Sequence, residues 1–112
     1  MNKETTLRLH GHDIRLQFSN PDDWSAEGMG RSCLISSRIL LREGMPNSTQ
    51  ACTLLHELAH QIFGIAGMSE HDSEIVVSVV AAGMLDFMRS NPDIVNAIVK
   101  SESIEELVTK HE

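Results

Sequence analysis

From about Ser48 to Ile65 the apolar residues Leu54, Leu55, Leu58, Ala59, Ile62 and Phe63 recur at three- and four-residue spacing, which commits this stretch to an amphipathic helix. Asn47 stands where an N-cap belongs, Gln50 follows in a capping-box arrangement, and Gly64 and Gly67 mark the end and the turn. Whatever the chain folds into must lay one face of that helix on a core. The same helix carries His56-Glu57-Leu58-Ala59-His60, an H-E-x-x-H string. Residues four apart on a helix share a face, so both imidazoles can address one metal ion. Glu57 falls between them, where it can take a proton from water on such an ion, the general-base position of this spacing in zinc peptidases. The plainer reading is two surface histidines on an amphipathic helix.

A catalytic zinc site needs three protein ligands and an open position. Beyond Gly67, Ser69 is a plausible N-cap, with Asp72 three residues later, for a second helix continuing to about Arg89. Ile75, Val76, Val77, Val79, Val80, Ala81, Ala82, Met84, Leu85, Phe87 and Met88 make it apolar nearly all round. It is expected to be the central buried helix or half of a homo-oligomer interface over residues 70–89. A strand over Ile75–Val80 competes, because β-branched residues lower helix propensity. If the two helices form an antiparallel hairpin about Gly67, His60 and Glu74 lie equidistant from the turn and face one another. Glu74 is therefore the expected third ligand, with Asp72 and His71 next if the turn is off-centre. A first-turn carboxylate also suits the helix dipole without any metal. A metzincin would carry Gly and His where Phe63 and Ala66 stand, so that layout is excluded.

The flanking segments supply a small sheet and short helices. Leu7 and Leu9, then Ile14, Leu16 and Phe18, alternate with polar residues on either side of His10-Gly11-His12-Asp13, predicting a β-hairpin with both histidines at its tip. Asn20-Pro21-Asp22-Asp23 reads as a turn, and Trp24 as a packing residue. One strand is expected over Ser32–Ser37, with a less regular continuation to Leu41 and a stop at Gly44-Met45-Pro46. Asn91-Pro92 opens a short helix through about Val99, and Ser103 to Glu106 fits a capping box for a last one.

A chain of 112 residues forms a single domain, residues 1–112, and leaves any active site open or shallow. Only 4% of residues are aromatic and none is Tyr, so the core is expected to be aliphatic. The charge is balanced over residues 1–46, and the whole net charge of −7 belongs to residues 47–112. That leaves no basic footprint for nucleic acid, and no apolar run long enough to span a membrane. The start, Met1-Asn2-Lys3-Glu4, has no signal-peptide hydrophobic region, which places the expected location in the cytoplasm. Cys33 and Cys52 form no C-x-x-C pair and are expected reduced and buried.

The string Thr53 to His60, an acidic segment within one turn and an apolar helix ending at Asn91-Pro92 together resemble the short phage- and prophage-encoded zincin-like proteins. More loosely they are similar to the ImmA/IrrE-type and minimal gluzincin metallopeptidases. The resemblance spans about Leu34 to Pro92. It implies an α+β fold in which a small antiparallel sheet, made of the N-terminal hairpin and an edge strand, packs on the active-site helix. A second, largely buried helix would carry the Glu ligand, and short helices would follow. By this resemblance Zn²⁺ is held by His56, His60 and Glu74, with Glu57 as the base in hydrolysis of a peptide or protein substrate. The substrate is expected to lie extended along the edge strand near Cys33–Ile35, adding to the sheet by main-chain hydrogen bonds. Larger gluzincins have a second helical domain and a Tyr for the oxyanion, which this sequence lacks. His71, His10 and His12 are the candidates for that contact, and nothing in their spacing selects among them. The alternative function is a regulatory or interaction module with a structural or vestigial zinc site.

Overall fold

A computed structural model describes residues 3–20, 30–34 and 36–110; at 71, 72 and 110 the backbone alone is described. The alternating N-terminal segments form strands β1 (Lys3–Leu9) and β2 (His12–Ser19), paired in register from Lys3 opposite Phe18 to Leu9 opposite His12. The connection is His10-Gly11, both at positive φ, the conformation of a two-residue turn that matches strand twist. His12 thus belongs to a strand and His10 alone with Gly11 to the tip.

The strand expected over Ser32–Ser37 is instead two strands. β3 (Gly30–Cys33) and β4 (Arg38–Arg42) are antiparallel, joined by a turn in which the Ser37 N–H donates to the Leu34 carbonyl at 3.2 Å and Ser37 takes a φ of 49°. Burial explains the break. Ile39 and Leu41 alternate with Arg38, Leu40 and Arg42 and are fully or nearly fully buried, so the regular strand begins only after the turn. β4 then inserts beside β2 and runs parallel to it, with Leu16 opposite Ile39 and Phe18 opposite Leu41. The sheet has the order β1-β2-β4-β3 and is mixed, not antiparallel, because β4 runs parallel to β2 while the other two pairings are antiparallel.

Ile14, Leu16, Ile39 and Leu41 form the buried inner face, and Leu54 and Leu58 of helix α1 (Asn47–Ile65) pack against it. Asn47 lies inside this helix and makes no cap; Pro46 precedes it, and Gln50 donates its side-chain amide to the Met45 carbonyl at 2.8 Å. The helix ends as expected. Gly67, at φ 71°, lets the chain reverse while its N–H reaches the Gly64 carbonyl and that of Met68 the Phe63 carbonyl. A 3₁₀ turn (Ser69–Asp72) follows, and the cap of helix α2 (Glu74–Ser90) is Ser73, whose hydroxyl accepts from the Val76 N–H, not Ser69. The Ile75–Val80 run is helical, so the strand alternative is overturned.

α2 is not the buried helix that its composition predicts. Val77 and Ala81 alone are buried along it, because among the described elements α1 covers the sheet and α2 packs on α1, with no described layer beyond it. α3 (Pro92–Lys100) and α4 (Ile104–Lys110) extend from its end; Ala97 is the residue of α3 that is buried. The radius of gyration is 16.0 Å, against about 13 Å for a compact chain of this length. Cys33 and Cys52 are both free thiols, and Cys52 is exposed, not buried. No described helix is long and apolar enough to cross a membrane. The turn residues 21–23, Trp24 and Ile35 lie outside the described residues.

Stability should follow this unequal packing. Ile39→Ala is expected to cost about 2–5 kcal/mol in urea unfolding, whereas Val99→Ala, at a position 76% exposed, should stay within about 0.5 kcal/mol of the parent.

Candidate metal centre

Helix α1 presents three different faces to three neighbours. Leu54 and Leu58 go to the sheet core, Glu57 and Gln61 toward strand β3, and His56 and His60 toward α2. The His56 and His60 rings sit edge to face with centroids 5.0 Å apart. From α2, the Glu74 carboxylate meets both: one oxygen is 2.9 Å from His56 Nε2 and the other 2.9 Å from His60 Nε2. Ser78, one turn after Glu74, places its hydroxyl 3.5 Å from His56 Nδ1. The 2.9 Å approach of Nε2 to the Glu74 carboxylate puts a proton on Nε2 in the ion-free chain; were a metal ion to take its place, Nδ1 would carry the proton and could donate it to the Ser78 oxygen.

Glu57 is buried, at 4% exposure, and its ligand atom lies with those of His56 and His60 within 4.8 Å of one another. These three residues form a group that could hold a metal ion. Burial raises the Glu57 pKa above its ordinary value; His56 and His60 oppose that shift, and the Glu74 charge adds to it. Glu57, His60 and Glu74 line one side of an open cleft of about 290 Å³, and Gly30, Arg31, Ser32 and Leu34 line the other. The β3 backbone comes very close to the helix there. A Cβ on Gly30 would stand 2.6 Å from Thr53 Cγ2 and 3.2 Å from Glu57 Cγ, so glycine sets the distance between the edge strand and the carboxylate.

Four of the residues expected at the site, His56, Glu57, His60 and Glu74, are therefore together. His71 and Asp72 belong to the 3₁₀ turn, and their side chains lie outside the described residues. His10 and His12 are on the β1–β2 hairpin and are not among the described residues lining the cleft. Three contributors went unnoticed in the sequence. Gln61 is buried and donates to Ser32 Oγ at 2.8 Å and to the Cys33 carbonyl at 3.3 Å, tying α1 to β3. Its spacing of four from Glu57 was the available signal, as was that of Ser78 from Glu74. For Gly30 there was none, since a close approach between segments distant in sequence leaves no local pattern. No family model, curated protein or solved structure matches this chain.

The pH dependence of the metal-free chain follows from Glu57. Its folded pKa lies above the ordinary value of 4.5, so ionised Glu57 destabilises the fold. The penalty is absent below that value, grows as pH rises toward the folded pKa and is complete above it. Glu57→Gln should thus unfold at higher urea than the parent at neutral pH, with the difference vanishing in acid; an equal difference at both pH values would contradict the assignment.

Proposed function

We propose that this chain is a zinc-dependent peptidase of minimal gluzincin type, with His56, His60 and Glu74 as metal ligands and Glu57 as general base. The observation that carries the reading is the convergence of both imidazole Nε2 atoms on one carboxylate, with a second, buried carboxylate at the same cleft. Two neutral imidazoles and one carboxylate are a donor set that suits Zn²⁺ and keeps it strongly Lewis acidic. Zinc in such a cradle supplies polarisation of a carbonyl oxygen and lowers the pKa of water toward neutrality. Glu57 accepts the proton of the attacking water and returns it to the leaving amine. Its burial keeps it basic enough for the first task, and its stem lies close against the β3 backbone at Gly30.

β3 is an edge strand bordering the cleft, which supports an extended peptide bound by main-chain hydrogen bonds. Arg31 and Ser32 are the polar side chains that such a peptide would meet on that wall. The alternative, a regulatory module with a structural or vestigial metal, accounts less well for the site. The Glu74 side chain is 70% exposed, whereas structural zinc sites are closed, and a structural site needs no buried base.

Zinc should raise the unfolding temperature of the purified chain and bind at one equivalent. Glu74→Ala should weaken zinc affinity roughly 10- to 1,000-fold while Asp72→Ala leaves it near the parent. Glu57→Gln should keep the metal and lose about 10²–10⁴ in peptide hydrolysis. Full hydrolysis by Glu57→Gln would sink the mechanism, and indifference to zinc would sink the site.

A further inference from the structure

β3 pairs with β4 on one side only, and its side chains go alternately to the two faces of the sheet. Gly30 and Ser32 face α1: a Cβ on Gly30 would meet Thr53 and Glu57, and Ser32 Oγ accepts from Gln61. Arg31, between them, therefore belongs to the opposite face, and it is exposed. It stands opposite Leu40 and diagonal to Arg38, which is opposite Cys33. Neither the Arg31 nor the Arg38 guanidinium makes an ion pair with a described residue. The two strands carry Arg31, Arg38 and Arg42 and no acid at all.

The other face has the opposite sign, because Glu57 and Glu74 line the cleft there. A peptide that joins the open edge of β3 continues the alternation. Its side chains opposite Gly30 and Ser32 enter the cleft, and the one opposite Arg31 lies on the arginine side, with Cβ atoms roughly 5 Å apart. A carboxylate in that position gains an unpaired guanidinium. Moved along by one residue, it points at two other carboxylates. The net charge of −7 belongs to residues 47–112, and its influence across solvent fades beyond about 8 Å, so the adjacent arginines govern this position. Nucleic acid does not suit the edge, because a phosphodiester backbone has no regular N–H and C=O groups with which to extend a sheet.

We propose that the substrate of this chain is an extended segment bearing Asp or Glu opposite Arg31, with that carboxylate on the arginine face and the residues on either side of it in the cleft. The proposal rests on the peptidase reading above and gives it a substrate class. Arg31 touches the substrate without touching the reacting bond, so it selects and does not catalyse.

A neutral peptide series carrying a single Glu at successive positions, with a matched Lys series, tests this on the zinc-loaded chain. Glu should be preferred over Lys at one position by roughly 3- to 30-fold in kcat/KM, and the preference should disappear one residue to either side. Arg31→Gln should flatten it, and Arg31→Glu should reverse it in favour of Lys; far-UV circular dichroism checks that both variants keep the fold. The same ranking should appear in the affinities of these peptides for zinc-loaded Glu57→Gln, read by fluorescence anisotropy, where no turnover is needed. Hydrolysis that treats Glu and Lys alike, or a preference that Arg31→Glu leaves in place, overturns the acidic-substrate assignment while the peptidase reading stands. Ranked binding without hydrolysis by the parent upholds the assignment and sinks the peptidase reading. Neither hydrolysis nor ranked binding overturns both.

Discussion

Everything in this molecule is arranged around what α1 has to satisfy at once. Its leucines lie on the inner face of the sheet, where Leu54 and Leu58, with Met45, pack on Ile14, Leu16, Ile39 and Leu41. That packing sets the rotation of the helix about its own axis. With Leu54 and Leu58 on the sheet, Glu57, one residue before Leu58, and Gln61, three after it, turn to β3. His56 and His60, two residues to either side of Leu58, fall on the far side of the helix and meet α2. Burial of a few aliphatic side chains thereby determines where four polar ones aim. The hydrophobic term is non-directional, but the helical period converts it into a directional one.

The polar contacts then fix distances that packing alone would leave loose. The Gln61 amide spans from α1 to the Ser32 hydroxyl and the Cys33 carbonyl, and such a buried donor is costly to leave unpaired. Gly30 allows the strand to come in far enough for those bonds to form. The cleft between β3 and the Glu57 carboxylate is thus held open by a short bridge at one end and a close contact at the other.

Much of this was legible in the sequence where the information is local. The hairpin, the extent of α1, the Gly67 reversal and the pairing of His60 with Glu74 all follow from period and turn chemistry within a few residues. What failed was non-local. A parallel pairing of β2 with β4 depends on how the chain returns between them, and no spacing encodes it. The exposure of α2 was misjudged for a related reason: an apolar helix is expected inside, but whether an inside exists depends on how many layers the whole chain supplies. Gln50 and Ser73 show the same limit on a smaller scale. Which residue caps a helix depends on the direction in which the chain enters it, and the 3₁₀ turn before α2 moves the cap from Ser69 to Ser73.

Glu74 is the first residue of α2, preceded by a 3₁₀ turn and held by a single serine cap. The opening turn of a helix is the part that frays most readily, far more often than the domain unfolds. The carboxylate that meets both imidazoles is thus mounted on the least persistent turn of its helix, while the imidazoles sit mid-helix on α1. The centre joins a mid-helix half to a helix-terminal half. The lifetime of anything gripped between them would be timed by the breathing of one helical turn, not by the stability of the fold.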